Sequence, residues 1–236
     1  MIIFYRLQLR KQRKDKMKIA NEYAWSTHSP MNKALIELFN PCLIVEMGTG
    51  LHSTPLFLES AAEKLFFIEN DSQWIDHIKS NFSFDDRCEI IYQSLGEGII
   101  NSTKNRKLPQ EKRLEIANYY KNFATTIDNI DLSLKFLFVD HFACARTSAI
   151  NNMFDSFDII VYHDCEPAGV TWYEYTFSES LYQKYDNFIL TCPAAWTGCF
   201  IKKSLNAEHN LRNIIKSHIN NYCETVGIDQ DLMILK

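Results

Sequence analysis

The stretch IVEMGTGLHSTP, Ile44 to Pro55, joins an apolar run to a turn with two glycines one residue apart. An apolar run that ends in such a turn and continues into Ser-Thr-Pro is typical of a buried strand that leads into a helix. Glycine lets a turn adopt dihedral angles that cost other residues energy, and it lets a ligand approach the backbone closely. The stretch therefore predicts a strand, a tight turn and a helix, with a binding crevice at the turn.

Strand and helix patterns alternate on both sides of this turn. A helix is predicted at MNKALIELF, because Ser29 and Pro30 just before it suit the start of a helix. Apolar strand patterns follow at CLIVEM, KLFFIE, CEIIYQ, LKFLFVD and FDIIVYHD, with helix patterns between them. Continuous apolar strands are expected in a parallel sheet that helices cover on both faces.

The last two strand patterns, NFILTC and CFIKKS, are separated only by PAAWTG, and a helix pattern, WYEYTFSESLYQKY, precedes them. So short a connection permits antiparallel neighbours and excludes a parallel crossover. The sequence therefore predicts an α/β fold: a doubly wound, mostly parallel, seven-stranded sheet with a C-terminal antiparallel hairpin.

Composition divides the chain into two parts. Residues 1–28 form a basic N-terminal extension, whose first 18 residues carry seven Lys or Arg and one acid. The extension is either solvated or in contact with a membrane surface or an acidic glycan. Residues 29–236 form one domain with a helical insertion around residues 96–130, where a polar loop precedes the pattern QEKRLEIANYYKNFATTI.

The overall composition indicates a soluble protein with reduced thiols. A net charge of −4 gives no general attraction to nucleic acid or to an anionic membrane. No apolar run approaches the roughly 20 residues of a membrane-spanning helix. The seven cysteines are odd in number and include no Cys-x-x-Cys pair, which favours a cytoplasmic location.

An acid near the turn indicates what the crevice binds. Glu69 ends the second strand, nineteen residues after Gly50, and an acid at this place can accept hydrogen bonds from both hydroxyls of a ribose. NAD would fit these two features as well, but Ser53 stands where the dinucleotide motif has its third glycine. A G-x-G turn and a strand-end acid can each be purely structural, whereas their spacing inside the strand–helix pattern favours a nucleoside-type ligand.

The segment Glu46–Thr54 resembles the glycine-rich first motif of class I S-adenosylmethionine (SAM) methyltransferases. FVDH with the following arginine, and FDIIVYHD, are similar to signatures of SAM methyltransferases that act on sugar and natural-product hydroxyls, the macrocin O-methyltransferase-like group among them. The terminal antiparallel hairpin also matches the layout of the Rossmann-like methyltransferase fold. The resemblance covers Leu43–Asp164 by motif and the rest by layout, and it departs at His141, where that group commonly has glycine.

The resemblance implies SAM as the cofactor, bound at the carboxyl ends of the strands. The helix that Ser53 or Thr54 caps would offer its N-terminus to the carboxylate of the methionine moiety. The expected cofactor-binding residues lie in the first motif, at the end of the second strand and after the third strand: Glu46, Gly48, Thr49, Gly50, Ser53, Thr54, Glu69, Asn70 and Ser94.

Polar residues after the fourth and fifth strands are the candidate reactive groups. The expected catalytic residues are Asp140, His141, His163 and Asp164, and the expected acceptor contacts are Arg146, Glu166 and Trp172. A hydroxyl acceptor must lose a proton, which a histidine or a carboxylate of raised pKa can accept. Some relatives bind Mg²⁺ at these strand ends, which implies Asp140 and Asp164 as metal ligands. Without a metal, His163 or His141 is the expected base.

The sequence thus predicts a SAM-dependent O-methyltransferase that acts on a small acceptor such as a sugar, nucleotide-sugar or surface-glycan unit. A nicotinamide-dependent oxidoreductase and a non-catalytic Rossmann-like binding protein are the alternatives. Nucleic acid is not an expected partner, because the charge balance is acidic and an N/D-P-P-Y/F motif is missing. No transmembrane segment is expected, and a homodimer is left open.

Overall fold

The computed structural model describes residues 26–94, 108–167, 175–192, 195–206 and 210–236. The helices in these ranges are α1 (Ser29–Phe39), α2 (Thr54–Leu58), α3 (Ser72–Asn81), α4 (Gln110–Asp128), α5 (Ala143–Met153), α6 (Glu179–Lys184) and α7 (Leu211–Val226). Short 3-10 turns are present at Phe154–Ser156, Lys203–Leu205 and Gln230–Leu232. None of these helices is both long enough and apolar enough to cross a membrane.

The strands form one mostly parallel sheet in the order β3-β2-β1-β4-β5-β7-β6-β8. They are β1 (Leu43–Met47), β2 (Lys64–Glu69), β3 (Cys88–Tyr92), β4 (Lys135–Val139), β5 (Ile159–His163), β6 (Tyr185–Thr191), β7 (Thr197–Lys202) and β8 (Ile234–Leu235). β1 to β5 pair in parallel, whereas β7 runs antiparallel between β5 and β6. The predicted parallel sheet with a C-terminal antiparallel hairpin is confirmed. The two-residue β8, which adds an eighth strand beside β6, is too short for a sequence pattern to reveal.

Alternate residues of the central strands bury into two apolar clusters, one on each face of the sheet. Ile44 and Phe136 face the cluster formed with α1 and α7, while Val45 and Leu137 face the cluster formed with α4 and α5. Complete burial of an aliphatic or aromatic side chain contributes about 1.5–3 kcal/mol. The strands therefore read as continuous apolar runs because both of their faces are buried.

The helix predicted as part of an insertion around residues 96–130 is α4, which lies in the connection from β3 to β4. Its buried face presents apolar residues at helical spacing, Ile116, Tyr120, Phe123 and Ile127, and the helix packs on α5. Residues 95–107, the polar part of the predicted insertion, lie outside the described residues. α4 thus covers the sheet as a crossover helix, and Tyr120 on it reaches the site described below.

The helix predicted over WYEYTFSESLYQKY is shorter than expected. Among the described residues of this segment, 175–185, only Glu179–Lys184 is helical, and Ser178 caps the helix by accepting a hydrogen bond from the backbone N–H of Leu181. Tyr175 precedes this helix and donates its hydroxyl proton to the carbonyl of His163 at 2.7 Å. The aromatic spacing that suggested a longer helix reflects packing of Tyr175 and Phe177 on Tyr162.

Candidate active site

A cavity of about 580 Å³ lies at the carboxyl ends of β1, β2 and β4, the edge at which doubly wound sheets bind ligands. Among the described residues it is lined by His28, Gly48, Thr49, Gly50, Leu51, His52, Ser53, Glu69, Asn70, Trp74, Asp140, His141 and Phe142. Six of the predicted cofactor-binding residues are in this lining: Gly48, Thr49, Gly50, Ser53, Glu69 and Asn70. The volume lies within the usual range of small-molecule sites.

Gly48 joins the two halves of this site. Its φ is +86°, and a Cβ added there would lie 2.6 Å from the carbonyl oxygen of Asp140 and 2.8 Å from the Cα of His141. The turn after β1 therefore packs backbone against backbone on the end of β4, which only glycine permits.

Gly48→Ala is expected to lower the free energy of unfolding clearly more than Gly227→Ala does. Both glycines have positive φ, at +86° and +74°, so both variants incur backbone strain of about 1–3 kcal/mol. A Cβ at Gly227 meets nothing within 4 Å, whereas at Gly48 it overlaps the backbone of β4. Urea unfolding of the two variants measures the difference, and equal losses would mean that the close approach at Gly48 is not required.

Glu46 shapes the turn and does not line the described cavity. It is fully buried, and its carboxyl group accepts hydrogen bonds from the hydroxyls of Ser53 and Thr54, the latter at 2.8 Å. Burial raises the pKa of Glu46 to about 8, although the two hydroxyl bonds oppose the rise. The predicted capping of α2 by these hydroxyls is wrong: Ser53 makes no side-chain cap bond, and α2 has only five residues.

Glu69 is fixed at the cavity wall. One oxygen accepts hydrogen bonds from the N–H and hydroxyl of Thr49 at 3.1 and 3.2 Å, and the other accepts from the N–H groups of Asn70 and Asp71 at 2.7 and 3.1 Å. Burial raises the pKa of Glu69, and these hydrogen bonds oppose the rise. Trp74 ties α3 to the same wall, because its indole N–H donates to the carbonyl of Thr49 at 2.7 Å. The carboxylate is thus presented to the cavity in one orientation.

A buried ion-pair network joins the ends of β4 and β5. The guanidinium of Arg146 lies 2.8 Å from Asp140 and 2.9 Å from Asp164, and its Nε donates to the carbonyl of His141 at 2.6 Å. The Arg146 side chain is 7% exposed, and Asp164 has a φ of +58°. Arg146 was predicted to contact the acceptor, and the structure engages it in holding the two strand ends together.

His163 lies behind Asp140 in this network. Its Nδ1 is 3.2 Å from Asp140 and 3.6 Å from Asp164, and its Nε2 is 2.8 Å from the hydroxyl of Thr27. Burial lowers the pKa of His163, but the two carboxylates outweigh this effect and raise it. For Asp140, burial raises the pKa, but His163 and Arg146 hold it well below its usual range. Asp140 therefore lines the cavity as an ionised carboxylate. His163 is not part of the described lining and contacts Asp140 on the side away from the cavity.

Two neutral imidazoles line the same side of the cavity. His141 Nε2 is 2.5 Å from the hydroxyl of Tyr120, while its buried Nδ1 has no hydrogen-bond partner among the described residues. Burial lowers the pKa of both His141 and His28 to about 3. His28 precedes α1 and, like Thr27, was assigned to the extension of residues 1–28. No strand-end position marks His28 in the sequence, so the pattern could not reveal it.

Three further predicted site residues, Thr54, Ser94 and Glu166, are absent from the described cavity lining. Thr54 binds Glu46, Ser94 is exposed, and Glu166 accepts a hydrogen bond from the backbone N–H of Trp196 at 3.2 Å. Trp172 lies outside the described residues.

No family model and no curated protein sequence match the chain. Among solved structures, an rRNA methylase from Streptococcus thermophilus is 11% identical, with 72% of this chain and 93% of that chain covered and a TM-score of 0.45. The N-methyltransferase NodS from Bradyrhizobium japonicum is 10% identical, with 74% and 93% covered and a TM-score of 0.42. A spermidine synthase in complex with the transition state analogue AdoDATO is 14% identical, with 87% and 73% covered and a TM-score of 0.48. What this site binds therefore has to be inferred from its own residues.

Proposed function

We propose that this chain transfers a methyl group from SAM to a hydroxyl of a small acceptor such as a sugar, nucleotide-sugar or glycan unit. The proposal rests on a cavity that is lined by the glycine turn and by Glu69. This cavity lies at the edge of a sheet in which β7 runs antiparallel between β5 and β6. The dinucleotide-binding sheet, in the order 3-2-1-4-5-6, has no such inserted antiparallel strand. The topology thus favours SAM over a nicotinamide cofactor.

The residues present fit such a cofactor. Glu69 lines the cavity with a carboxylate that can accept hydrogen bonds from ribose hydroxyls, and Gly48 and Gly50 line the cavity beside it. Trp74 and Phe142 provide aromatic surface on which a purine ring can pack. When bound, SAM supplies an electrophilic methyl group, so the chain has to align the acceptor and remove its proton.

The side of the cavity formed by Asp140, His141 and His28 suits a hydroxyl acceptor. Asp140 is ionised, and the two imidazoles are neutral and carry buried nitrogens that bond to no described residue. Groups of this kind accept hydrogen bonds, and a buried acceptor that lacks a donor is rare in folded proteins. A hydroxyl placed here donates its single proton to one of these acceptors and presents its oxygen toward the cofactor wall.

Glu69→Ala is expected to weaken binding of S-adenosylhomocysteine at least tenfold. A lost hydrogen bond to a charged acceptor is worth about 1.5–3 kcal/mol, and Glu69 also positions Thr49 and Asn70. Calorimetric titration measures the change, with Glu89→Ala as the matched control, since Glu89 is an exposed acid on β3 that pairs with Lys64. Equal affinities in the two variants would remove Glu69 from the cofactor site.

The same titration decides between the candidate functions. SAM and S-adenosylhomocysteine are expected to bind and NAD is not. Tight binding of NAD without SAM binding would replace the proposal with an oxidoreductase. A panel of sugars and nucleotide-sugars, with an RNA oligonucleotide as the control acceptor, then tests transfer of a labelled methyl group. SAM binding without transfer to any of them would favour the non-catalytic binding protein.

A further inference from the structure

Three side chains from distant parts of the chain converge beside the cavity. His28 precedes α1, Asp140 follows β4 and His163 ends β5, and one potential ligand atom of each lies within 4.8 Å of the others. Asp140 and His28 line the cavity, so the cluster lies at its wall. Together they form a set of two imidazoles and one carboxylate.

His28 is the member of the cluster whose ring nitrogens have no hydrogen-bond partner among the described residues. It is 3% exposed, and both of its ring nitrogens are buried without a hydrogen-bond partner among the described residues. Its ring packs on Phe138 at 5.0 Å and edge-on to His163 at 4.9 Å between centroids. Leaving a buried polar group without a hydrogen-bond partner lowers the stability of the folded state. A ligand that engages a nitrogen of His28 offsets this cost.

We propose that His28, Asp140 and His163 bind a divalent transition-metal ion of the zinc type. Imidazole nitrogens suit such ions, whereas Mg²⁺ prefers oxygen ligands and several waters. The oxygen pair expected from the sequence, Asp140 and Asp164, is bridged by the guanidinium of Arg146. The cluster therefore favours zinc, cobalt or ferrous ions over magnesium.

The distances within the cluster are close to those of a metal centre. Ligands that bind zinc at about 2.0–2.1 Å lie roughly 3.3 Å from one another, and His163 Nδ1 is already 3.2 Å from Asp140 Oδ2. The third ligand atom lies within 4.8 Å. The three ligand atoms therefore have to approach one another by at most about 1.5 Å to reach the spacing of a metal centre.

The surrounding contacts orient the ligands as in established metal sites. Thr27 engages His163 Nε2 at 2.8 Å, which leaves Nδ1 for the ion. Arg146 engages Asp140 Oδ1, which leaves Oδ2 for the ion. Histidine and carboxylate ligands of metals usually have such a second partner. The network that joins β4 and β5 thus also fixes two of the three ligands.

A three-ligand site leaves coordination positions open toward the cavity. The ion held by His28, Asp140 and His163 would lower the pKa of an acceptor hydroxyl bound at such a position, and the hydroxyl would release its proton to solvent at a pH where a free hydroxyl keeps it. This role rests on the proposed methyl transfer, whereas metal binding by the cluster does not. The two can therefore fail separately.

The test is a Co²⁺ titration of the full chain without a histidine tag and without SAM. We expect one equivalent to bind with d–d absorption in the visible, and Zn²⁺ but not Mg²⁺ to displace it. Thiolate coordination would instead give an intense near-ultraviolet band, which distinguishes the proposed site from binding at the seven cysteine thiols. His28→Phe, which keeps an aromatic ring, is expected to weaken binding at least about 100-fold. His218→Phe on α7 changes a partly exposed histidine beside Glu37 and should leave binding unchanged.

Equal Co²⁺ affinities of His28→Phe and the wild type would overturn the proposal. Displacement of Co²⁺ by Mg²⁺ at the concentration at which Zn²⁺ displaces it would also overturn the proposal. If His28→Phe does not fold, Thr27→Val decides, because it removes only the hydroxyl that orients His163. About tenfold weaker binding is expected in that variant, and unchanged binding contradicts the site. Cobalt binding in a chain that does not bind SAM would refute the proposed methyl transfer and leave the metal site standing.

Discussion

Replacing His163 by Asn is expected to lower the rate of methyl transfer by about 10²–10⁴ and to leave SAM affinity nearly unchanged. The Nδ1 of His163 lies 3.2 Å from Asp140 on the acceptor side, whereas Gly48 and Glu69 form the cofactor wall. Asparagine offers neither a basic nitrogen nor an imidazole ligand. Turnover of an acceptor from the panel and calorimetry with SAM measure the two effects separately.

The pH dependence of the rate distinguishes the two roles of this imidazole. The carboxylates of Asp140 and Asp164 raise the pKa of His163 above its ordinary 6.5 despite burial. If His163 accepts the proton, the rate rises with pH through that raised pKa, because only the neutral imidazole is a base. His163→Asn then loses this rise. If His163 binds a metal, the rate follows metal loading instead.

The control for this prediction is His218→Asn, which changes a partly exposed histidine of α7 that lies beside Glu37. It is expected to keep wild-type turnover. Wild-type turnover in His163→Asn, or loss of SAM binding together with the fold, would show that His163 only supports the structure.

The sequence could predict the strand ends because parallel strands place their last residues at one edge of the sheet. This rule located Asp140 and His163 close together, at 3.2 Å between side-chain atoms. It could not predict that Arg146 turns inward to pair with two acids, because the direction of a side chain depends on packing across the sheet. It also missed His28, whose place in the site depends on how α1 packs and not on any strand.

The fold could be predicted where a single physical constraint, such as burial of both faces of a strand, determines the residue pattern of a long segment. Burial on both faces makes β1 and β4 apolar apart from Glu46 and Lys135. The short segment PAAWTG between the last two long strands indicated an antiparallel hairpin, because it is too short for a parallel crossover. The two residues of β8 are too few for any periodicity. Around Tyr175, aromatic packing on Tyr162 imitates helical spacing, so the predicted helix was too long.

Replacing Arg146 by Met is expected to lower the free energy of unfolding by about 3 kcal/mol, near the lower end of the usual loss for a broken buried ion pair. The Arg146 side chain is 7% exposed, and its removal leaves Asp140 and Asp164 facing each other without the guanidinium between them. The lower end applies because these acids are 22% and 19% exposed. Lys112→Met, which breaks an exposed pair with Glu115, is the control and should cost less than about 1 kcal/mol.

The loss of unfolding free energy in Arg146→Met is also expected to depend on pH. In the wild type the pKa of Asp140 is depressed below its ordinary 3.8, since His163 and Arg146 outweigh burial. A carboxylate whose pKa is lower in the folded state than in the unfolded state stabilises the fold at a pH above its unfolded-state pKa. This contribution disappears as the pH falls through the folded-state pKa. The variant, which lacks one of the two cations, has less of this contribution to lose. Urea unfolding should therefore show a large difference between wild type and variant at pH 7 and a smaller one below about pH 4. A difference that does not change with pH would show that Arg146 stabilises the site by packing and not by its charge.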